Sequence, residues 1–366
     1  MQNKIKITSI LTFSIIVFSF LGNVSLHAQI DSGHILYKTI TIEGGTLNEA
    51  DASIEELIVE KYPIISGKLI ENIKASRTVQ KLVSDTTEGF QTTAINADYK
   101  VPYNFLLDTV KLLWELNIPE FRSHLYQIYN NDTIYIDTWN NVVGMGKDNK
   151  TYTGHFEAYR VRNWPSWKDP EKGKEQLPAT PPGPKNPLGL FVVHYDENSL
   201  RYFHGTNKNY LLNQLPRNLS HGCVRNDNSN IAKMKEFIIK RVIKSSDLSG
   251  WMDSKRSMTF EFASIDKFPV RIIYKTFKVD KDDSGIFIEL YKDIYYYKSR
   301  GSIDTKWNDP SLITLTTEDN IVSEYKYKFG NNLAEETLRK IVKNIIDKGG
   351  EYEKNYIKDF QNTAGN

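Results

Sequence analysis

The sequence contains a single cysteine, Cys223, among its 366 residues. It has no H-E-x-x-H pattern and no glycine-rich phosphate loop in front of a helix, and its histidines outside one motif are scattered singly. The formal net charge is only +2, which gives no reason to expect a polyanionic partner. We therefore expect no metal site, no cofactor and no nucleic-acid partner.

Residues 1–28 have the pattern of a secretory signal peptide. Lys4 and Lys6 precede an apolar stretch that ends at Leu21, and a small-residue cleavage site follows at Ala28. The apolar stretch is short for a membrane-spanning helix. We expect an exported protein, with a retained N-terminal anchor as the alternative. A lone cysteine in an exported protein is either an inert buried residue or a free reactive thiol.

Hydrophobic periodicity predicts an α+β protein with a mainly β core. Apolar residues recur at helical spacing between 54 and 73, from Pro102 to Leu116 and from Leu333 to Ile346, which predicts helices towards both ends of the chain. Between about 134 and 203, short segments rich in β-branched and aromatic residues alternate with turns, which predicts strands. Phe268 to Tyr297 is expected to form a second long hairpin.

Three local features accompany these elements. Asp196 to Ser199 is expected to be a hairpin loop that delivers His204 to the end of a strand. After Cys223, Asn228 or Ser229 can cap a helix. The tyrosines within 291–297 could form a stacking surface for sugar, although half-buried packing is the commoner role of strand tyrosines.

The residues that can carry chemistry are concentrated in one stretch. Cys223 directly follows His221 and Gly222, and His204 lies upstream. A free thiol with a pKa of about 8.5 is only a few per cent thiolate at neutral pH, so a nucleophilic cysteine needs a base such as His204. Gly222 permits a tight turn that can aim the amide N–H groups of Gly222 and Cys223 at a carbonyl oxygen. This pattern predicts acyl transfer through a thioester.

Three segments carry a resemblance to a known family: Pro182-Gly-Pro-Lys-Asn-Pro-Leu-Gly189, His204-Gly-Thr206 and Ser220-His-Gly-Cys-Val-Arg225. They resemble motifs of the catalytic domain of the L,D-transpeptidases, the YkuD-type family of exported bacterial enzymes that cross-link peptidoglycan. The motifs occur here in the same order as in that family. The similarity covers roughly residues 132 to 245. Asn163-Trp-Pro-Ser-Trp167 and the run after Phe268 also resemble the larger YcbB-like members. Thr151-Tyr-Thr-Gly154 lacks a Thr-Pro that the family often shows.

The resemblance implies a role for each matching residue. Cys223 corresponds to the nucleophile, His204 to the general base held in its tautomer by the Gly205 carbonyl, and His221 to a second essential histidine. Gly222 is the expected oxyanion donor through its N–H. The expected substrate contacts are Ser220, Arg225, Thr206, Trp164 and Trp167. The proline-rich loop that carries the two tryptophans is either a wall of the substrate cleft or an ordinary connector.

The implied reaction begins when Cys223 attacks the carbonyl of the third residue of a peptidoglycan tetrapeptide stem and expels D-alanine. An amine on a second stem would then give a 3-3 cross-link, and an amine on an outer-membrane protein is another possible acceptor. Water as acceptor would make the same site an L,D-carboxypeptidase or cross-link hydrolase. Donor and acceptor stems would be the partners, together with other cell-wall enzymes, and the setting would be cell-wall organisation and cell shape in the periplasm or cell envelope.

Two hypotheses that assign the protein to other functional classes account for fewer of these residues. A non-catalytic wall-binding module leaves both histidines and the sole cysteine without a role. A papain-like protease would require a Cys-Gly-x-Cys-aromatic signature that is missing.

The resemblance also implies a β-sandwich-like core of mixed sheets with flanking helical segments. The expected domains are a signal peptide (1–28), an N-terminal mixed or helical region (29–130), the catalytic domain (131–248), a β-hairpin extension packed on it (249–300) and a C-terminal region ending in a helix (301–366).

Overall fold

The structure, a computed structural model, describes residues 37–83, 93–107, 111–129, 132–169, 178–253, 255–300 and 303–361. The signal peptide predicted at 1–28 lies outside these residues. Among the helices that are described, none combines the length and apolarity needed to cross a membrane.

The described residues are mostly β, with several helices. The strands are β1 (Tyr37–Gly44), β2 (Thr78–Val83), β3 (Thr93–Pro102), β4 (Lys111–Asn117), β5 (Arg122–Tyr129), β6 (Asp132–Gly144), β7 (Gly154–Ala158), β8 (Arg160–Asn163), β9 (Phe191–Asp196), β10 (Arg201–His204), β11 (Asn218–Ser220), β12 (Val224–Asn226), β13 (Met258–Glu261), β14 (Phe268–Lys275), β15 (Phe277–Asp282), β16 (Gly285–Leu290), β17 (Ile313–Thr314) and β18 (Lys354–Tyr356). The helices are α1 (Leu47–Lys61), α2 (Gly67–Ala75), α3 (Asn228–Phe237), α4 (Leu248–Met252), α5 (Tyr297–Arg300), α6 (Glu318–Phe329), α7 (Glu335–Lys348) and α8 (Ile357–Gln361).

Two compact units can be distinguished, and the first comprises the described parts of residues 1–112, 125–137 and 232–252. It contains an antiparallel sheet in the order β1-β3-β2, with α1 and α2. Thr46 and Glu49 form a capping box that starts α1. The helices predicted between 54 and 73 are confirmed as α1 and α2, and their buried faces carry Ile54, Ile58, Ile70 and Ile73.

The second unit comprises residues 113–124, 138–231 and the described part of 253–366. A large mixed sheet follows the order β13-β8-β9-β10-β12-β6-β5-β4-β14-β17, with β7 and β11 pairing beside it. The predicted α+β class with a mainly β core of mixed sheets is therefore confirmed. Towards the C-terminus, β15, β16 and β18 form a small antiparallel sheet. Buried residues of this sheet and of α6, α7 and α8 form a common apolar core.

Two predictions of secondary structure are wrong. The described part of Pro102–Leu116 is not a helix: a short 3₁₀ segment (Tyr103–Leu106) is followed by β4, whose residues after Lys111 are buried on both faces. A fully buried strand gives a short apolar run that periodicity cannot separate from a helix. The long hairpin is also shorter than expected, because β14 joins the large sheet and only β15 and β16 pair across the turn at Asp282–Gly285.

The helix after Cys223 exists as α3, but its cap is not Asn228 or Ser229. The side chain of Asp227 accepts a hydrogen bond from Ser229 N–H at 2.7 Å. Asp227 therefore satisfies a free amide of the first turn, as an N-cap does. The predicted C-terminal helix and the loop between Asp196 and Ser199 are confirmed by α7 and by the β9–β10 pairing.

Candidate active site

The two motif segments meet on adjacent parallel strands. β10 pairs with β12, with Phe203 opposite Val224 and His204 opposite Arg225. Paired residues of neighbouring strands point to the same side of a sheet, and successive residues alternate between sides. Phe203 and Val224 are buried on one side. The other side therefore carries His204, Arg225 and, one residue before Val224, Cys223.

The side chain of Arg162 adds a guanidinium group to the side of the sheet that carries His204, Arg225 and Cys223. Tyr202 of β10 lies opposite His194 of β9, and Arg162 of the next strand, β8, donates from Nε to His194 Nε2 at 2.9 Å. The same guanidinium lies 5.6 Å from the centre of the Tyr202 ring. Burial, together with Arg162, lowers the pKa of His194 to about 3, so His194 is a neutral acceptor that fixes the guanidinium. Sequence reasoning missed both Arg162 and His194.

His204 has the protonation state that a general base requires. Its buried ring places Nδ1 2.5 Å from the carbonyl oxygen of Gly205. A carbonyl oxygen only accepts hydrogen bonds, so Nδ1 carries the proton and Nε2 keeps a free lone pair. Burial, with a contribution from Arg225, lowers the pKa of His204 to about 3. The imidazole is therefore neutral at pH 7 and can accept a proton.

Cys223 is a half-buried free thiol, and its Sγ lies 3.8 Å from the carbonyl oxygen of Leu200. Burial raises the pKa of this thiol, and three nearby guanidinium groups oppose that effect: those of Arg201, Arg225 and Arg162. Within the described residues, no hydrogen bond joins Sγ to His204. Such bonds commonly tighten only when substrate binds. The resting site is therefore a protonated thiol beside a neutral imidazole.

The rate at which iodoacetamide alkylates Cys223 should report this resting state. We expect the rate to rise with pH through one inflection above the ordinary thiol pKa, because the thiolate reacts and burial raises the pKa of Cys223. No inflection is expected near about 6.5, the ordinary histidine value, because the pKa of His204 is lowered to about 3. Mass spectrometry of the single cysteine across a pH series measures the profile. A rate that has already reached its plateau at neutral pH would contradict this and indicate a thiolate–imidazolium pair.

The loop that carries Cys223, residues 220–223, is held by hydrogen bonds between its own residues. Ser220 is buried, and its Oγ donates to the Cys223 carbonyl oxygen at 2.5 Å and accepts from Gly222 N–H at 3.1 Å. Ser220, predicted to contact substrate, thus has its hydroxyl committed to the loop. Gly222 N–H, predicted to donate to the oxyanion, is engaged by Ser220. The N–H of Cys223 is left as the candidate oxyanion donor beside the thiol.

The loop after His204 is clamped by Asn228. Thr206 N–H donates to Asn228 Oδ1 at 3.0 Å, and Asn228 Nδ2 donates to the Thr206 carbonyl oxygen at 2.7 Å. The Thr206 hydroxyl accepts from Lys208 N–H at 3.0 Å, and the residue is buried. Thr206 therefore fixes the loop that orients the base, instead of presenting its side chain to a substrate. A Cβ on Gly205 would overlap Asn228 Oδ1, which explains the glycine there.

The remaining predicted site residues stay accessible. His221 is exposed, and Arg225 is half-buried and interacts electrostatically with Cys223. Trp164 and Trp167 are half-buried, and Trp167 exchanges backbone hydrogen bonds of 3.0 and 2.7 Å with Thr180 across the proline-rich loop. In the described parts of the chain, no cluster of three or more His, Cys, Asp or Glu side chains is arranged to hold a metal ion.

Comparison with known proteins finds a family that this region resembles. Residues 116–243, which include β10, β12 and the loops just described, match the family model of the L,D-transpeptidase catalytic domain (YkuD). Over these residues the chain is therefore similar to an L,D-transpeptidase catalytic domain. A curated relative, the probable L,D-transpeptidase ErfK/SrfK of Salmonella typhimurium, is 26% identical over 204 residues, which are 48% of this chain and 63% of that protein. The chain thus matches somewhat less than two thirds of the length of this relative.

Two solved structures show weak overall similarity. The helical cell shape determining protein Pgp2 of Campylobacter jejuni is 12% identical, with 67% of this chain and 72% of that chain covered at a TM-score of 0.26. A fused Zn-dependent amidase/peptidase/peptidoglycan-binding domain-containing protein of Clostridium acetobutylicum is 14% identical, with coverages of 44% and 51% and a TM-score of 0.22. Neither overlay is close enough to support an argument about this chain.

The loop that carries Cys223 is supported by residues that sequence reasoning missed. Thr151 Oγ1 donates to the Gly222 carbonyl oxygen at 2.8 Å and accepts from Gly144 N–H at 2.9 Å. Tyr295 OH donates to the Gly144 carbonyl oxygen at 2.9 Å and accepts from Thr151 N–H at 3.0 Å. Tyr295 therefore fixes the position of Thr151, which in turn holds the Gly222 carbonyl oxygen of the loop. A sign of this role in the sequence was the Thr151–Gly154 segment, which lacks the Thr-Pro that the L,D-transpeptidase family often shows.

For the tyrosines within 291–297, the structure confirms the commoner role, packing, and contradicts the alternative of a stacking surface for sugar. Tyr291, Tyr295 and Tyr297 are buried, and only Tyr296 of that cluster is exposed. The Tyr297 ring lies 4.8 Å from Tyr274 in an edge-on contact. These rings form core, so a sugar cannot reach their faces.

Gly222→Ala is expected to lower the activity of the Cys223 site strongly. Gly222 has a φ of +112°, and an added Cβ would lie 2.6 Å from Arg201 Nε. Arg201 cannot easily move, because its Nε donates to the Lys150 carbonyl oxygen at 2.6 Å and its guanidinium stacks 3.9 Å from the Tyr152 ring centre. Displacing the thiol should lower kcat roughly 100-fold, and backbone strain should lower the free energy of unfolding by about 1–3 kcal/mol.

Gly146→Ala is the matched control for this change. A Cβ on Gly146 meets nothing within 4 Å, and its φ of −65° suits alanine. Steady-state kinetics and thermal unfolding of both variants check the prediction. Equal activity of the two variants would mean that the left-handed turn at Gly222 does not position the thiol.

Proposed function

We propose that the protein is an exported cysteine acyltransferase that acts as an L,D-transpeptidase on peptidoglycan stem peptides. The observation that carries the proposal is the placement of Cys223 and neutral His204 on one face of adjacent parallel strands, with the Nδ1 proton of His204 directed to Gly205. That arrangement supplies a nucleophile and a base with its free nitrogen available. The match of residues 116–243 to the L,D-transpeptidase catalytic domain supports this substrate class.

In the first half-reaction, His204 Nε2 takes the thiol proton while Sγ bonds to the carbonyl carbon of the third stem residue. The N–H of Cys223 donates to the developing oxyanion, which is the position where a fixed donor lowers the barrier most. Collapse of the tetrahedral intermediate breaks the amide bond to D-alanine. The departing amine takes the proton back from His204, and the tripeptide remains as a thioester.

In the second half-reaction, the side-chain amine of another stem attacks the thioester. His204 accepts the amine proton and returns it to Sγ as the C–S bond breaks, so a 3-3 cross-link forms and the enzyme is regenerated. His221, exposed beside the loop, is placed to contact either peptide. The N–H of Cys223 again serves the oxyanion.

Arg162 and Arg225 are the proposed carboxylate contacts. Both lie on the face that carries Cys223, because Arg225 is opposite His204, and Arg162 and His204 are both opposite Val192 of β9. A tetrapeptide stem presents carboxylates near the bond that is cleaved, and guanidinium groups bind carboxylates through paired hydrogen bonds. Trp164 and Trp167 are proposed as one wall of the cleft. Ser220 and Thr206 act on the loops instead of on the substrate, since their hydroxyls are already engaged.

Export fits this chemistry, because peptidoglycan lies outside the cytoplasmic membrane. The signal-peptide pattern at 1–28 supports a location in the periplasm or cell envelope. Cell-wall organisation and cell shape would then be the processes served, with other cell-wall enzymes as partners.

The products formed from a disaccharide-tetrapeptide test the proposal. The protein without its signal peptide is incubated with this substrate, and mass spectrometry identifies what appears. We expect a dimer that lacks one D-alanine. Tripeptide without dimer would assign the site to an L,D-carboxypeptidase, and unchanged substrate together with binding to cell walls would favour a non-catalytic module.

A further inference from the structure

A second concave site lies in the unit that contains Cys223, past the end of β12. Its volume is about 380 Å³, which is at the small end of the range of about 300–1,000 Å³ for ligand pockets. We call it the asparagine cavity after four of the residues that line it, Asn140, Asn209, Asn213 and Asn230; the others are Arg122, Thr138, Trp139, Tyr210, Leu212 and Asp227. None of these residues takes part in the chemistry described above.

The asparagine cavity has unused hydrogen-bonding capacity. Asn140 Oδ1 accepts from Arg217 Nη2 at 3.2 Å, but the NH₂ of Asn140 has no hydrogen-bond partner within the described residues. The amides of Asn209, Asn213 and Asn230 likewise have none in that part of the chain. Each amide offers both donors and an acceptor. The lining can therefore pair with a ligand that carries several hydroxyl or amide groups.

An aromatic face completes the lining. Tyr210 lines the cavity and is 59% exposed. An exposed aromatic ring beside polar amides suits a ligand that has apolar C–H faces and a polar edge, as a pyranose has. The buried tyrosines at 291, 295 and 297 cannot offer such a face.

The charges in the cavity do not favour an anion. Arg122 Nη1 already lies 3.6 Å from Glu120 Oε1 and 4.0 Å from Glu289 Oε2. The opposite charge in the lining, Asp227, accepts a hydrogen bond from Ser229 N–H at 2.7 Å. Since one cation and one anion line the cavity and both are engaged, a neutral ligand fits better than a phosphate or carboxylate.

The position of the cavity matches the length of a stem peptide. Asp227, which lines the cavity, comes directly after β12 and follows Arg225 of the catalytic face by two residues, so the cavity adjoins that face. Asp227 follows Cys223 by four residues of extended chain, a distance of about 13 Å. Between the glycan and the carbonyl that Cys223 attacks, a stem has three residues, which span about 10 Å when extended.

We propose that the asparagine cavity binds an N-acetylated amino sugar of the glycan that carries the donor stem. The sugar ring stacks on Tyr210, and its hydroxyl and acetamido groups pair with the free asparagine amides. Binding the glycan there aligns the third stem residue with Cys223. This inference rests on the proposed function for its substrate class, but the site can be tested by binding alone.

The test uses the neutral dimer of N-acetylglucosamine, titrated into the full mature chain and followed by saturation-transfer NMR. We expect binding with Kd in the millimolar range, about 4 kcal/mol of binding free energy. Tyr210→Ala and Asn230→Ala should each weaken Kd roughly tenfold. Tyr327→Ala, which removes a tyrosine that is 51% exposed on α6, should leave Kd unchanged. No binding to the unaltered protein, or equal Kd values for all four proteins, would overturn the proposal.

A kinetic comparison separates this inference from the proposed function. With the unaltered protein, KM should be several-fold lower for the disaccharide-tetrapeptide than for the free tetrapeptide. Equal KM values would also overturn the sugar site while leaving acyl transfer intact. If no product forms from either substrate, the proposed function fails, and the titration with the sugar dimer still decides whether the cavity binds it.

Discussion

Cys223→Ser is expected to abolish formation of cross-linked dimer from the disaccharide-tetrapeptide, with a loss of at least about 10⁴-fold in rate. Serine preserves the size of the side chain and the hydrogen bonds around it, but an alcohol is a far weaker nucleophile than a thiol beside a neutral imidazole. His204 cannot compensate, because burial lowers its pKa to about 3 and makes it a weak base towards an alcohol. The rate is measured by mass spectrometry of the products.

A folding control accompanies this variant. The Cys223 Sγ lies 3.8 Å from the Leu200 carbonyl oxygen and also interacts with the backbone of Tyr202, and serine can make both contacts. Thermal unfolding should therefore be nearly unchanged. A serine variant that cross-links at the rate of the unaltered protein would mean that Cys223 is not the nucleophile.

His204→Gln is expected to lower kcat by about 10²–10⁴-fold at neutral pH, the usual contribution of a general base. Glutamine can still hydrogen-bond the Gly205 carbonyl oxygen, as His204 Nδ1 does at 2.5 Å, but it cannot accept the thiol proton. Raising the pH should partly restore the rate, since the thiolate fraction of Cys223 grows about tenfold per pH unit below its pKa. Single-turnover kinetics across a pH series measure this.

His155→Gln is the matched control, because His155 is an exposed histidine on β7 of the same unit. Its kcat and pH profile should equal those of the unaltered protein. If His204→Gln loses activity without any recovery at high pH, His204 acts by shaping the loop and not by accepting a proton.

The Cys223–His204 pair was predictable because the information is local. The motif residues lie close in sequence, and the strand that ends at His204 follows from a β-branched and aromatic run with a polar hairpin loop before it. The parallel pairing of β10 with β12 then aligns them. No residue outside this stretch was needed to identify the candidate nucleophile and its candidate base.

Residues that act from distant strands were not predictable in the same way. Arg162 reaches the catalytic face only because β8 pairs with β9, and β9 with β10. Tyr295 lies far along the chain from Gly144, yet its hydroxyl bridges Gly144 and Thr151. A pattern of residue types in one strand does not reveal its neighbour in a mixed sheet, and a tyrosine looks the same in sequence whether buried or exposed.

The hydroxyl groups assigned to substrate were misread for a related reason. Ser220 and Thr206 flank the reactive residues in sequence, and a hydroxyl beside a nucleophile favours a role in binding. In the structure both hydroxyls are hydrogen-bonded within the loops. That of Ser220 donates to the Cys223 carbonyl oxygen, and that of Thr206 accepts from Lys208 N–H. Short polar side chains often bond to nearby backbone, which holds a loop at the cost of a free hydroxyl.

The most direct test of the account is to trap the acyl-enzyme. The protein is mixed with disaccharide-tetrapeptide without added acceptor, quenched in acid, and analysed by intact-protein and peptide mass spectrometry. The account predicts an adduct with the mass of the disaccharide-tripeptide acyl group, bound through a thioester to Cys223 and absent from Cys223→Ser. Cross-linked or trimmed product without any adduct at Cys223, or an adduct on another residue, would contradict it.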